Sequence, residues 1–130
     1  MAGQARGPNP STLDGLRVLL VEDDFLILMD LEDVLQEAGA EIIAQCRSVN
    51  AALEHVDDDD IEVAVLDLRL GDQTVAPVAR RLAERGVPFL FYSGQIDSDP
   101  TLAEWPDHVL VHKPARSDAI VAAVASAARG

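Results

Sequence analysis

A single cysteine, Cys46, stands among the 130 residues. One thiol excludes a disulfide framework and a cysteine metal cluster, and it suits a reducing compartment. Basic residues are also scarce: 10 lysines and arginines face 23 aspartates and glutamates, for a formal net charge of -13 and a pI near 4.3. A surface of that sign repels nucleic acid and anionic membranes, so neither is expected as a direct partner. No apolar run approaches the roughly 18 residues of a membrane span, and the N-terminus lacks the apolar core of a secretory signal. A cytoplasmic location is expected.

What remains is an ordinary globular composition, 48% apolar and 25% charged, in a length that suits one domain around one core. The opening "MAGQARGPNPSTLDG" is rich in Gly, Pro and small polar residues and has little to bury. Residues 1–14 are therefore expected to form a mobile leader and residues 15–130 the domain. There is no internal repeat, and the acidic run Asp57 to Asp60 reads as a solvated loop between a helix and a strand.

Strand and helix patterns alternate along the domain. "LRVLLV" is an unbroken apolar run of strand type; in "FLILMDLEDVLQEAG", Leu28, Leu31, Val34, Leu35 and Ala38 share one helical face and Gly39 stops the helix. "AEIIAQC" reads as a second strand, Ser48 as the cap of a helix "VNAALEHV", and "IEVAVLDL" as a third strand. Thr74 is the expected cap of "VAPVARRLAERG", with Pro77 tolerated in the first turn and Gly86 at the stop. "VPFLFYS", "HVLVH" and the alanine-rich "RSDAIVAAVASAAR" give a fourth strand, a fifth strand and a last helix. Between the last two strands, "GQIDSDPTLAEWPDH" carries Pro100 and Pro106, so only a short or irregular helix is expected there. Such alternation predicts a parallel α/β sheet with helices on both faces, and ligands of such sheets bind beyond the carboxyl ends of the strands.

The residues at those ends form a chemically coherent set. Glu22, Asp23 and Asp24 follow the first strand, Asp67 the third, Ser93 and Gly94 the fourth, and Lys113-Pro114 the fifth. Carboxylates about 5 Å apart repel by roughly 3 kcal/mol at an effective dielectric of about 20, so the acidic run calls for solvent or a cation. Each group alone has a plainer reading: Asp24 as a helix cap, Glu22 or Asp23 at a helix dipole, Asp67 in a loop, Ser93 and Lys113 in turns. Together, Glu22, Asp23 and Asp67 offer hard oxygen ligands for Mg²⁺, and with that ion and Lys113 their formal charges sum to zero. A pocket so balanced suits phosphoryl transfer, with Asp67 as nucleophile, Lys113 countering charge and Ser93 donating a hydrogen bond.

On these residues the chain resembles a response-regulator receiver domain of two-component signalling over about Leu16 to Arg129. The matching motifs are the acidic pair in "LLVEDD", Asp67 in "VAVLDLRL", Ser93, and Lys113-Pro114. The resemblance implies a flavodoxin-like fold with strand order 2-1-3-4-5, phosphorylation at Asp67, and Mg²⁺ held by Glu22, Asp23, Asp67 and the backbone carbonyl of Arg69. It also implies a cis Lys113–Pro114 bond, slow self-catalysed dephosphorylation, and a sensor histidine kinase or histidine phosphotransfer protein as donor. The chain is then a signalling domain, monomeric or weakly dimeric, and no ordinary enzyme.

The sequence also departs from that family. Leu110 stands where an aromatic switch residue is common, Ala115 where phenylalanine usually follows Lys-Pro, and "LRLGDQT" replaces the common Met-Pro-x-Met-Asp-Gly loop. "PFLFYSG" is similar to the Phe-Ala-Thr-Gly-Gly-Tyr subfamily at Phe91, Ser93 and Gly94, but differs at Tyr92 and Ile96. That partial similarity implies a stand-alone protein whose switch is an ordering of Gly94 to Trp105. With no output domain after Gly130, signalling is expected through a downstream protein, by relay or by contact at a face including Leu102, Trp105, Leu110 and Ile120. Rival readings are a phosphorylation-independent pseudo-receiver, an aspartate-nucleophile phosphatase lacking its second acid at Arg69, and a phosphohistidine carrier using His55, His108 or His112. Cys46 reads as a small buried apolar residue.

Overall fold

Apolar runs without alternation become strands covered on both faces. The computed structural model describes residues 12–94 and 100–129. Its strands β1 (Arg17–Val21), β2 (Glu41–Cys46), β3 (Val63–Leu66), β6 (Phe89–Ser93) and β7 (Leu110–His112) form one five-stranded sheet in the order β2-β1-β3-β6-β7. Each neighbouring pair is parallel. Counting only these strands, the order is the 2-1-3-4-5 of the flavodoxin-like fold. The intervening β4 (Arg69–Leu70) and β5 (Gln73–Thr74) make a small antiparallel hairpin of their own. Four helices, α1 (Phe25–Glu37), α2 (Val49–Leu53), α3 (Ala76–Glu84) and α4 (Ser117–Ala128), complete the described elements with a 3-10 turn at Pro100–Glu104.

The period of two along each strand divides the core between the sheet's faces. Val18 and Leu20 of β1, Val63 and Val65 of β3, and Leu90 and Tyr92 of β6 pack with Leu28, Leu31 and Leu35 of α1 and Ile120, Val121 and Val124 of α4. Leu19 and Val21, Ala64 and Leu66, and Phe89 and Phe91 turn the other way, onto α2 and α3. Fully burying a leucine or phenylalanine contributes about 1.5–3 kcal/mol, so β1, β3 and β6 hold helices to both sides.

Local chemistry sets the helix ends. Asp24 caps α1, its Oδ1 accepting from the Leu26 and Ile27 amides at 2.9 and 3.2 Å. Ser48 caps α2, its Oγ accepting from the Ala51 amide at 3.1 Å. Gly39 ends α1 with φ +100, where an added Cβ would meet the Asp14 Cα at 2.8 Å, so no other residue fits.

The structure corrects several expectations. Thr74 does not cap α3: it lies in β5, the N-cap is Val75, and no side chain bonds the first turn. Leu13, expected in the leader, is buried at 3% exposure, and its amide donates to the Ala38 carbonyl at 2.9 Å. A leucine next to the end of α1 has apolar surface to cover, which outweighs the polar composition around it. Ile120, expected on the partner face with Leu102 and Trp105, is core at 3% exposure, while those two are half-buried on the sheet and only Leu110 stays exposed. The segment Gly94 to Trp105 lies partly outside the described residues, as does the leader at residues 1–11; Pro100–Glu104 forms the short helical turn that the prolines allow. Among the described residues no helix is long and apolar enough to cross a membrane.

Candidate functional site

Four neighbouring strands deliver the candidate groups to one rim. Glu22 follows β1, Asp67 follows β3, Ser93 ends β6 and Lys113 follows β7. Backbone bonds continue the ladder past the strand ends: the Asp67 amide donates to the Val21 carbonyl at 2.9 Å and the Lys113 amide to the Ser93 carbonyl at 3.0 Å. The rim is therefore fixed by the sheet. The Lys113–Pro114 bond is cis.

The side chains then converge. Glu22, Asp23 and Asp67 each present a carboxylate oxygen within 4.8 Å of the others, the one such group of potential metal ligands among the described residues. The Lys113 ammonium lies 2.6 Å from Glu22 Oε1 and 3.0 Å from Asp67 Oδ2. Glu22 is almost fully buried, and Asp67 and Ser93 are buried with it. Glu22 Oε2 accepts from the Asp24 amide at 3.1 Å. Oε1 has no aligned hydrogen-bond donor and depends on the ion pair with Lys113.

Three carboxylates against one ammonium leave this pocket short of positive charge. Burial first, and the charge of Asp67 with it, push the Glu22 carboxyl up to about 7 against the pull of Lys113. Burial would lower the Lys113 ammonium, but the Glu22 and Asp67 carboxylates beside it prevail and hold it above its ordinary value. An electron-poor, oxygen-seeking dication fits such a donor set.

Asp23 is anchored from both sides. Its Oδ2 accepts from the Gly71 amide at 2.9 Å, and its backbone carbonyl accepts from the Arg47 guanidinium at 3.2 and 3.3 Å. Gly71 turns the β4–β5 hairpin with φ +66, a conformation that glycine adopts without strain. Neither contact was legible in the sequence, although Gly71-Asp72 is a turn signal. A second unforeseen neighbour is Tyr92, whose ring centroid lies 5.6 Å beneath the Lys113 ammonium.

Arg69, a candidate through its backbone carbonyl, starts β4 two residues past Asp67 with its side chain exposed. His55 and His112 are exposed and outside the carboxylate cluster. His108 is stacked on Phe89 with centroids 4.3 Å apart, where burial lowers its pKa. Cys46 is buried, and burial, helped by Glu54, raises its thiol to about 11.

Comparison with known proteins agrees with this layout. A family model described as response regulator receiver domain matches residues 18–125. The response regulator receiver protein from Sinorhizobium medicae WSM419 superimposes with a TM-score of 0.78 at 26% identity, covering 91% of this chain and 98% of that one. SdrG from Sphingomonas melonis Fr1 gives a TM-score of 0.77 at 35% identity, covering 89% and 98%. The response regulator PhyR from Brucella abortus gives 0.73 at 22% identity, covering 88% of this chain; the present chain spans only 48% of PhyR. No curated protein matches the sequence.

Proposed function

Because the chain belongs to the response regulator receiver domain family, we propose that it accepts a phosphoryl group on Asp67 from a phosphohistidine and signals through protein contact or onward relay. The donor is a sensor histidine kinase or a histidine phosphotransfer protein, and the output is a downstream protein. The observation that carries this reading is the Lys113 ammonium, 3.0 Å from Asp67 Oδ2 and 2.6 Å from Glu22 Oε1 at the edge of the three-carboxylate cluster.

The cluster has the charge and donor type for Mg²⁺, held by Glu22, Asp23 and Asp67 with the Arg69 carbonyl as a further ligand. When bound, Mg²⁺ supplies counter-charge to the phosphoryl oxygens. A carboxylate oxygen of Asp67 attacks phosphorus as the P–N bond to the donor imidazole breaks, the bonding pair staying on that nitrogen. The product is an acyl phosphate on Asp67 and a free donor histidine. Lys113 moves its contact from the Asp67 oxygen to a phosphoryl oxygen, and the Ser93 hydroxyl donates to another. Attack of water on the same phosphorus returns Asp67 and inorganic phosphate.

Intact-mass measurement after incubation with acetyl phosphate tests this. The expected result is a Mg²⁺-dependent, hydrolysable phosphoryl adduct on the wild type that Asp67→Asn lacks. A wild type that stays unmodified with both acetyl phosphate and a phosphohistidine donor is instead a pseudo-receiver, a binding module that works without phosphorylation.

A further inference from the structure

Lys113 has three contacts in the site, and two of them must change in the proposed reaction. Asp67 loses a charged oxygen when it becomes an acyl phosphate, and Glu22 would be shared with the metal it is proposed to help hold. The third contact is the face of Tyr92, whose ring centroid lies 5.6 Å from the ammonium, within cation–π range. Tyr92 is buried among the residues packed between the sheet, α1 and α4. Its backbone is paired with Val111 on β7, next to the strand end that carries Lys113. The ring is therefore fixed relative to the base of the lysine it faces.

The small side chain of Ala115 leaves space beside that ring. Tyr92, Lys113, Pro114 and Ala115 line a cavity of about 240 Å³ against the first turn of α1. The aromatic face in this pocket comes from the residue before Ser93, so the same strand places both the ring and the hydroxyl.

We infer that Tyr92 is a positioning residue for Lys113, its ring keeping the ammonium over the rim while the lysine exchanges a carboxylate partner for a phosphoryl oxygen. This inference rests on the proposed phosphoryl acceptance for its role, but the contact itself is testable without any phosphorylation.

Lys113 is the only lysine in the chain, so untagged protein made with ¹³C,¹⁵N-lysine gives a single set of side-chain signals, with one ε-methylene. In the wild type the ε-methylene protons are expected upfield of their position in an unfolded peptide, displaced by the ring face. Tyr92→Phe keeps that displacement and Tyr92→Leu removes it. The same position in wild type and a folded Tyr92→Leu overturns the contact.

The role is read in a second series, with phenylalanines of increasing fluorination at position 92, which weaken the ring face at nearly constant volume. The rate of adduct formation from acetyl phosphate is expected to fall stepwise, by about fivefold across the series, at unchanged melting temperature. A flat rate across folded variants overturns the positioning role. This series also serves if Tyr92→Leu fails to fold. A wild type that forms no adduct refutes the proposed function instead, and the lysine signal still decides whether Tyr92 holds the ammonium.

Discussion

At Glu22 the fold places a carboxyl group at 1% exposure beside a second carboxylate, Asp67, with one lysine between them. Burial raises its pKa from 4.5 to about 7, and this has a definite consequence for stability. Between those two values the unfolded chain has already released the proton that the folded chain still holds, so stability falls as pH rises from 4.5 to about 7. Glu22→Gln removes that dependence. In metal-free buffer the urea midpoint of the variant is expected to gain on the wild type as pH rises through this window, and to keep the lead above it. A parallel pH dependence in the two proteins refutes the assignment. Cys46 gives a companion prediction: with its thiol buried and raised to about 11, alkylation by iodoacetamide at neutral pH is slow in the native protein and fast after unfolding. Rapid native labelling contradicts the packed setting of β2.

At the scale of elements, the caps separate what the sequence announces from what it does not. Ser48 and Asp24 were legible as caps because a short polar acceptor stood just before an apolar helical stripe, and both bond the first-turn amides. Thr74 carried the same signal and failed, because the short hairpin of β4 and β5 takes it as a strand residue and passes the cap position to Val75. Two-residue strands have no period to read, so only the turn at Gly71-Asp72 marked the hairpin in the sequence. Urea unfolding is expected to show Ser48→Ala and Asp24→Ala each costing about 1 kcal/mol, and Thr74→Ala a few tenths at most. An equal loss at Thr74 rejects the β5 assignment. The five-stranded sheet itself was legible, since its strands are continuous apolar runs and the rim residues sit immediately after them. What lay beyond reach was side-chain reach across the rim. Lys113 meeting Glu22, 91 positions away in the chain, and Gly71 donating to Asp23 depend on strand order and loop geometry. Neither leaves a local mark. The same holds for Leu13 and Ile120, whose burial is decided by which helix or sheet face happens to lie opposite.

For the molecule as a whole, the net charge of -13 outweighs its ion pairs. Arg81 of α3 and Arg85 at its C-cap meet Asp57 and Asp59 of the acidic run, and Arg80 holds Glu104 in a two-pronged contact that ties α3 to the 3-10 turn. All of these carboxylates are well exposed, and ion pairs in full contact with solvent stabilise little. The unpaired negative charges repel one another across distances comparable to the molecule at low salt, where screening extends over about 30 Å at 0.01 M and about 8 Å at 0.15 M. Screening therefore removes more repulsion than attraction. Raising KCl from about 0.01 M to about 0.15 M in metal-free buffer is expected to raise the melting temperature of the wild type. A fall on adding KCl means that the α3 ion pairs outweigh the net repulsion. MgCl2 compared with KCl at equal ionic strength separates bound Mg²⁺ from the general field. Screening is then matched, so a further rise reports bound Mg²⁺, and the rim has to be told from the acidic run Asp57 to Asp60 by substitution. That further rise is expected to shrink in Asp23→Asn, which removes one negative charge from the cluster while leaving the rest of the surface charge intact.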